Sequence, residues 1–407
     1  MRLRFPPLSV QIVLAIVLGV AVGCLLHGSE QAGLLDLLSW PPTLVLKALK
    51  AIATPLILLA VLNAFLSSDI PPKTASRLAF LLLSNTLAAI LIGLLVANLI
   101  RPGTRADLAA PPSDARATDR TFDPLEMVSG AIPTTIVEPL ADNNVIQVVV
   151  LSIALGIAIR LVKSRQERAG RADYLPLERT IATLFEAVIE VLSWVVALVP
   201  LAVLGVIARV VAKQGFAPFR SLAWFIAAVL VGLLLQACFY LVRVRLQSWV
   251  RPIDFLWGGR DAFSTAFSTA SSTITMPVTF RALTERIGLR KSSASLGALV
   301  GSSFNNDGTA LYEAMAALFV AQFLGMQLSF QQQLLVVGTS IIASVGAAGI
   351  PEAGLVTMTL VFTAVGLPVQ YIVLLITVDW FLDRCRTTIN VMGDMTVAAI
   401  LDGRTKG

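Results

Sequence analysis

The sequence predicts an all-α polytopic membrane protein with eight transmembrane helices and two re-entrant helical hairpins. Of its 407 residues, 56% are hydrophobic and only 14% are charged, whereas a soluble domain carries about a quarter charged residues. Charge-free runs long enough to cross roughly 30 Å of hydrocarbon recur along the chain. Two later apolar stretches are interrupted by Ser and Thr or by Gly and Pro, which predicts the hairpins.

Composition also argues against several classes of function. His27 is the only histidine and the three cysteines all fall in apolar segments. Histidine-triad catalysis and His-ligated metal sites are therefore effectively excluded, and a disulfide framework or thiol metal cluster is disfavoured. The net charge of +6 is explained by basic cytoplasmic loops and implies no nucleic-acid partner. We expect neither enzymatic activity nor a cofactor.

Six charge-free runs precede residue 250. Lys and Arg gather before the first run and after the second, fourth and sixth. Alternating helices place these clusters on one side, which predicts a cytoplasmic N-terminus in the plasma (inner) membrane. We interpret the first run as a retained helix rather than a signal peptide, and the loop 101–142 as external. The runs are 5–26, 51–68, 78–100, 143–159, 191–208 and 221–242.

Two stretches after residue 250 do not read as straight spanning helices. Residues 262–280 carry no charge but are crowded with Ser and Thr up to Pro277, and residues 330–368 are broken by Gly-Ala-Ala-Gly-Ile-Pro. We interpret each as two half-helices folded back around a tip, although two kinked helices are the alternative. Backbone freed from a helix at membrane depth must be buried in protein or line a cavity, so the hairpins predict a binding site between them.

The last helix carries a polar stripe. Its members follow one another at spacings of 4, 3, 4 and 4 residues and fall within a sector of roughly 80°. Ionisable groups at membrane depth face a bundle interior or a cavity, although Asp379 has structural ion pairing as an alternative role. Arg384 lies off the stripe, so it needs another partner or must extend to a membrane interface. The stripe consists of Asp379, Asp383, Arg386, Asn390 and Asp394.

A second polar element is "GSSFNNDGTALYEA", residues 301–314. Residues 305–309 are poor helix formers, so we expect the helix to be unwound there, with carbonyls and the Asp307 carboxylate available to a small cation. Glu313 follows in the same helix. A carboxyl group shielded from water favours its neutral form, so Glu313 is a candidate proton carrier. A salt bridge within the bundle is the alternative role.

These segments resemble the dicarboxylate/amino acid:cation symporters, and the core motifs resemble the vertebrate excitatory amino acid transporter branch. The motifs are "STASSTITMPVTF", "NNDGTALYEAMAALFVAQ", "AAGIPEAGLVTM" and "VDWFLDRCRTTINVMGD". The resemblance implies a homotrimer in the lipid bilayer, in which each chain moves a transport domain past a scaffold like an elevator. The scaffold would comprise residues 1–72 and 111–215, and the transport domain residues 73–110 and 216–407.

The resemblance also implies a substrate site for an acidic amino acid. Arg386 would pair with the side-chain carboxylate and Asp383 with the amino group, while Asn390 and the backbone at Ser271 and Ser272 would hold the α-carboxylate. A planar guanidinium recognises a carboxylate with two hydrogen bonds and stays charged when buried. Further contacts would come from Thr309 and Thr387, and from the outer gate at residues 349–354, which ends at Gly354.

Three sodium sites are implied in the same way, with ligands altered in the second and third. The first would use Gly301, Asn305, Asn390 and Asp394. The second would use Ser84, Asn85, Asn305 and Asp307. The third would use Ser303, Ser344, Val345 and Ala347.

Two departures from the family bear on these roles. Archaeal members carry an arginine where this chain has Ala270, and Arg384 stands in its place as in the vertebrate branch. Sodium-coupled members read Asn-Met-Asp-Gly-Thr, and Asn306 replaces that methionine. The position of Glu313 matches the proton carrier of the vertebrate branch, which also implies possible K⁺ counter-transport.

The sequence therefore predicts a symporter of glutamate or aspartate, with H⁺ coupling favoured through Glu313 and Na⁺ coupling possible. The alternatives are an obligatorily Na⁺-coupled transporter of amino acids or C4-dicarboxylates with the same fold, and a passive anion channel. An intramembrane aspartyl protease is disfavoured because the Gly-x-Gly-Asp motif is absent from the sequence.

Overall fold

The computed structural model describes residues 8–27, 37–67, 72–105, 132–142, 144–347 and 353–405. Within these ranges the regular structure is entirely helical, so the predicted all-α class is confirmed. The number of transmembrane helices and the elevator architecture stay predictions.

The described residues up to Gln247 form seven long helices. Four helical segments in the described ranges are long and apolar enough to cross a bilayer: Ser76–Thr104, Gln147–Arg168, Leu175–Lys213 and Leu222–Gln247. A short helix, Glu138–Ala141, precedes the fourth long helix. The seven long helices are α1 (Leu8–Leu26), α2 (Trp40–Ser67), α3 (Pro72–Ile100), α4 (Val145–Arg168), α5 (Leu175–Ala197), α6 (Val199–Gln214) and α7 (Ala217–Gln247).

The span predicted at 191–208 differs from the structure. It includes the junction between α5 and α6. Leu198 lies between the two helices, as the C-cap of α5 and the N-cap of α6. Pro200 in the first turn of α6 has no amide hydrogen to continue the hydrogen bonding of α5. The helix starts earlier than the charge-free run, at Leu175, as we expect from Glu186 and Glu190, which precede the run and can lie towards the helix end or on a protected face.

The first hairpin consists of α8 (Pro252–Thr269) and α9 (Ser272–Arg281), which pack against each other. Its tip lies at Ala270, which adopts a left-handed conformation with φ of 51°, and at Ser271, whose side chain accepts a hydrogen bond from the Ile274 amide (3.2 Å). Pro277 lies inside α9 and not at the turn. The N-cap serine starts the second helix earlier.

The broken helix consists of α10 (Gly301–Phe304) and α11 (Asp307–Phe323). The non-helical stretch is limited to Asn305 and Asn306. The predicted unwinding through residue 309 was therefore too long, because Asp307 begins α11. A carboxylate is favourable at a helix N-terminus, where the amide dipoles point towards it.

The second hairpin consists of α12 (Phe330–Gly346) and α13 (Ala353–Ala364), which also pack together. Ser329 and Gln332 cap the start of α12 reciprocally. The predicted tip at Gly-Ala-Ala-Gly-Ile-Pro, residues 346–351, lies outside the described residues from position 348 onwards. The last helix, α14 (Ile372–Asp402), follows.

The helices pack in two sets of neighbours. Helix α1 lies on α6, and α2 lies on α4 and α5. Helices α3, α7, α8 and α11 each contact α14. Helices α3, α7 and α11 also contact one another. Nearly all of α11 and most of α14 are buried, so their polar side chains face the protein interior. The boundaries of the scaffold and transport domains stay predictions.

Candidate binding site around the last helix

Arg386 lies at the centre of a buried charged cluster. Its side chain is 0% exposed, and its Nη2 atom lies 2.7 Å from Asp383 Oδ1 and 3.1 Å from Asp379 Oδ1. The guanidinium carbon lies 4.0 Å from the centre of the Tyr312 ring, a distance suited to a cation–π interaction. The other two nitrogens, Nε and Nη1, have no hydrogen-bond acceptor among the described residues. Arg386 therefore retains donors that a ligand carboxylate can accept.

The charges in this cluster do not balance. Asp379 and Asp383 are both buried and bring two carboxyl groups to one guanidinium. Buried charges are costly without compensation. A ligand that carries both a carboxylate and an ammonium group could pair each end with a group of opposite charge, its anionic end with the spare donors of Arg386 and its cationic end with the carboxyl groups. This is the recognition chemistry of an amino acid.

The second hairpin and the broken helix cover the guanidinium. A Cβ atom built at Gly354 would lie 3.1 Å from Arg386 Nη1 and 3.2 Å from Thr309 Cγ2. The start of α13 and the first turn of α11 therefore lie directly against Arg386. Thr387, which follows Arg386 in the sequence, is also buried. The structure thus brings Thr309 and Gly354 to the predicted site.

The serines of the first hairpin lie on its tip. Ser271 and Ser272 are both buried, and the Ser272 hydroxyl donates to the Ser302 carbonyl oxygen at 3.2 Å. This bond joins the tip to α10, and α9 also packs on α14. The predicted backbone contact of these serines with an α-carboxylate stays a prediction.

Asn390 joins α14 to the break between α10 and α11. Its Oδ1 atom accepts a hydrogen bond from the Gly308 amide at 2.7 Å. Its Nδ2 atom lies 3.3 Å from Asn306 Oδ1 and 3.4 Å from Thr309 Oγ1. The amide therefore fixes the start of α11 relative to the last helix.

The residues of the first predicted sodium site come together. Asn305 Nδ2 donates to Asp394 Oδ1 at 3.1 Å and lies 3.3 Å from the Asn390 carbonyl oxygen. The Asn305 Oδ1 atom is buried and has no donor among the described residues. A Cβ atom at Gly301 would lie 2.5 Å from Asp394 Oδ1, so only glycine allows this approach. A carboxylate with a spare amide oxygen is a donor set that suits a small cation.

The third predicted site is altered by a hydrogen-bond donor. Asn306 Nδ2 donates to the carbonyl oxygens of Ser344 (3.1 Å) and Ala347 (2.8 Å). These are two of the carbonyls that the resemblance assigns to a cation. Ser303 is half-buried on α10. The Asn306 amide, which replaces the methionine of sodium-coupled members, therefore occupies two carbonyl oxygens of this site. These residues suit a sodium ion less well than those of the first predicted site.

The second predicted site holds residues that the sequence analysis missed. The Asp307 carboxylate accepts hydrogen bonds from Thr86 Oγ1 (2.7 Å) and Tyr240 OH (2.5 Å). Ser84 and Asn85, the predicted ligands, instead accept hydrogen bonds from Arg243. Arg243 belongs to the basic cluster that follows the sixth charge-free run and that predicts a cytoplasmic location, yet its side chain is buried. Tyr240 and Arg243 lie three residues apart in an otherwise apolar helix. This spacing places both on one face and could have indicated a buried polar group.

Glu313 is 0% exposed and connects α11 to the second hairpin. Its Oε1 atom accepts a hydrogen bond from the Thr357 hydroxyl in α13, and its Oε2 atom has no partner among the described residues. The described lysines and arginines form no salt bridge with it. The alternative role as a bundle salt bridge is therefore not found within the described ranges.

Arg384 contacts the first hairpin. Its Nη1 atom donates to the Phe267 carbonyl oxygen at 3.0 Å and to that of Ser268 at 2.5 Å. A cation is favourable at the C-terminal end of a helix, where carbonyl groups lack intrahelical donors. The guanidinium thus reaches the end of α8, two residues before Ala270.

Interrupted helices around buried charges are the arrangement of a membrane transporter. The chain matches the sodium:dicarboxylate symporter family over residues 8–404, and because this match covers nearly the whole chain, the protein belongs to that family. It is a multi-pass membrane transporter and not an enzyme.

Three relatives illustrate its position in the family. The chain is 28% identical to excitatory amino acid transporter 3 of Mus musculus over 97% of this chain and 84% of the mouse protein. It is 30% identical to the Bos taurus protein of the same name over the same shares. It is 39% identical to excitatory amino acid transporter 1 of Bos taurus, over 64% of this chain and 47% of that protein. The predicted resemblance to this group is confirmed.

Proposed function

We propose that this protein is a symporter that moves glutamate or aspartate across the plasma (inner) membrane, with H⁺ as the favoured coupling ion. The observation that carries the proposal is the buried Arg386, which has two nitrogens without an acceptor beside two carboxyl groups. The names of the relatives, excitatory amino acid transporters, agree with this substrate class.

The charges favour acidic amino acids over other ligands. A C4-dicarboxylate without an amino group would bring a second anion towards Asp383, which is a repulsive discrimination. A neutral amino acid would leave the spare donors of Arg386 unpaired in a buried site, which is also costly. A zwitterion with an additional carboxylate satisfies both groups.

Glu313 is the proposed proton carrier. It is buried without a salt bridge among the described residues, and its hydroxyl partner Thr357 belongs to the second hairpin. A neutral carboxyl group is favoured in such surroundings. Movement of α13 would break the contact with Thr357 and expose Glu313 to water, where it can release its proton. Loss of the proton would therefore accompany opening of the hairpin.

Sodium coupling is possible at one position. Asn305 and Asp394 present suitable oxygens, whereas Asn306 donates to the carbonyls of the third predicted site. K⁺ counter-transport stays a prediction from the family. The same holds for the homotrimer, the elevator movement, the domain boundaries and the cytoplasmic N-terminus.

Uptake into proteoliposomes under separate ion gradients tests the proposal. We expect accumulation of labelled aspartate or glutamate under an inward H⁺ gradient in the absence of Na⁺. Accumulation that requires Na⁺ and ignores pH would support the obligatorily Na⁺-coupled alternative. A passive anion channel would dissipate gradients without accumulating either amino acid, and its conductance would not depend on Arg386.

A further inference from the structure

Helix α7 presents a polar face to the protein interior. Gln236, Tyr240 and Arg243 are spaced 4 and 3 residues apart, so they lie on one side of the helix. Gln236 and Tyr240 are 0% exposed and Arg243 is 7% exposed. The Gln236 side chain lies 3.4 Å from the Asn85 carbonyl oxygen. The face is therefore packed against α3 and is not directed at lipid.

The Arg243 guanidinium is held by oxygens of α3. Its Nη1 atom donates to Ser84 Oγ at 3.1 Å and to Asn85 Oδ1. The guanidinium carbon also lies 5.6 Å from the centre of the Phe239 ring. Hydroxyl and amide oxygens are the neutral ligands that a small cation would take, and here they are directed at a guanidinium.

Asp307 lies next to this group. It is 0% exposed, and both carboxylate oxygens accept hydrogen bonds from neutral hydroxyl groups, those of Thr86 and Tyr240. Thr86 adjoins Asn85 in α3, and Tyr240 lies one turn before Arg243 in α7. A buried carboxylate is stabilised by a positive charge nearby, and the Arg243 guanidinium is bound to Asn85, the residue next to the Asp307 partner Thr86.

We propose that Arg243 is a tethered cation that replaces a transported cation at the cluster of Ser84, Asn85 and Asp307. This inference rests on the proposed function as a cation-coupled symporter. A guanidinium attached to α7 cannot dissociate during the transport cycle, so no ion gradient contributes energy through this position. The number of coupled ions is thereby reduced by the one cation that this cluster would otherwise take.

Removal of the guanidinium tests the proposal without any substrate. The melting temperature of the purified full-length protein is measured in NaCl and in choline chloride at equal ionic strength. For Arg243→Ala we expect a Na⁺-specific rise that exceeds the wild-type value by about 2–5 °C, because a bound ion stabilises the folded state. Arg243→Lys retains a cation and should respond like the wild type. Arg245→Ala is the matched control, because Arg245 is exposed on the same helix.

Two results would overturn the proposal. The first is an unchanged Na⁺ response in both Arg243→Ala and Arg243→Met when both variants are monodisperse and helical. Should these variants fail to fold in either salt, Arg243→Met is combined with Asp307→Asn to remove both charges. Recovery of folding would then support charge compensation, and continued failure would be the second contrary result.

Failure of the proposed function gives a different result. A wild-type protein that binds neither aspartate nor glutamate would refute the substrate assignment, whereas the Na⁺ response of the Arg243 variants would be unaffected.

Discussion

The role proposed for Arg386 makes a quantitative prediction about substrate affinity. The Arg386→Ala substitution removes the two nitrogens, Nε and Nη1, that have no acceptor among the described residues. A hydrogen bond to a charged group contributes about 1.5–3 kcal/mol, so two such bonds contribute about 3–6 kcal/mol. Since each 1.4 kcal/mol is a factor of about ten, aspartate should bind about 10² to 10⁴ times more weakly.

Isothermal titration calorimetry with aspartate and asparagine separates this effect from general damage to the site. Asparagine has the same backbone groups but no side-chain carboxylate, so its affinity should change by far less than that of aspartate. Arg386→Lys should retain part of the aspartate affinity, because it keeps the charge but loses the planar pair of donors. Arg245→Ala provides an exposed arginine control on another helix.

The loss of Arg386 also leaves two buried carboxyl groups without their cation, so the fold of each variant must be checked by its melting temperature and its elution volume. Aspartate affinity within threefold of the wild-type value in a folded Arg386→Ala protein would contradict the assignment. Equal losses for aspartate and asparagine would also contradict it, because the ligand carboxylate would then not be the group that Arg386 binds.

Three further predictions concern the coupling ion and the cover of the site. Glu313→Gln cannot carry a proton, so proteoliposome uptake should no longer respond to an inward H⁺ gradient, while exchange of internal for external aspartate persists. Asn306→Met removes the amide that donates to Ser344 and Ala347, and aspartate binding should become more dependent on Na⁺ in equilibrium titrations. Gly354→Val would crowd Arg386 Nη1, which lies 3.1 Å from an added Cβ atom, and should weaken aspartate binding at least about tenfold.

Each of these predictions has a contrary result. Persistent acceleration of uptake by an H⁺ gradient in Glu313→Gln would remove this residue as the proton carrier. An Asn306→Met protein with the wild-type Na⁺ response would show that the amide does not exclude the ion. Unchanged affinity in Gly354→Val would show that α13 moves away from Arg386 when substrate binds.

Much of the site could be predicted from local sequence patterns. The stripe in the last helix depends only on the period of an α-helix and on the cost of ions at membrane depth. The break at Asn305 and Asn306 follows from the poor helix propensity of asparagine in an otherwise apolar segment. These features require no knowledge of neighbouring helices, and the structure has both.

The position of the first hairpin tip was less accessible to sequence reasoning. The stretch contains no glycine between Ala262 and Phe280, and proline was the apparent helix breaker. The turn occurs instead where Ala270 takes a left-handed conformation and Ser271 caps α9. Arg384 contacts the carbonyls at the end of α8, so a residue more than a hundred positions away in the chain supports this turn.

The sequence by itself determined the helical class, the family and the polar residues that could recognise an amino acid. Only the tertiary structure decided which oxygens each donor reaches. Arg243 binds Ser84 and Asn85 because α7 packs on α3, and Asn306 binds the end of α12 because the broken helix lies beside it. Helical periodicity places a side chain on a face, but the partner across that face comes from a distant segment. Helix packing therefore determines which oxygens of the predicted cation sites are bound by Arg243 or Asn306 and which stay available to a cation.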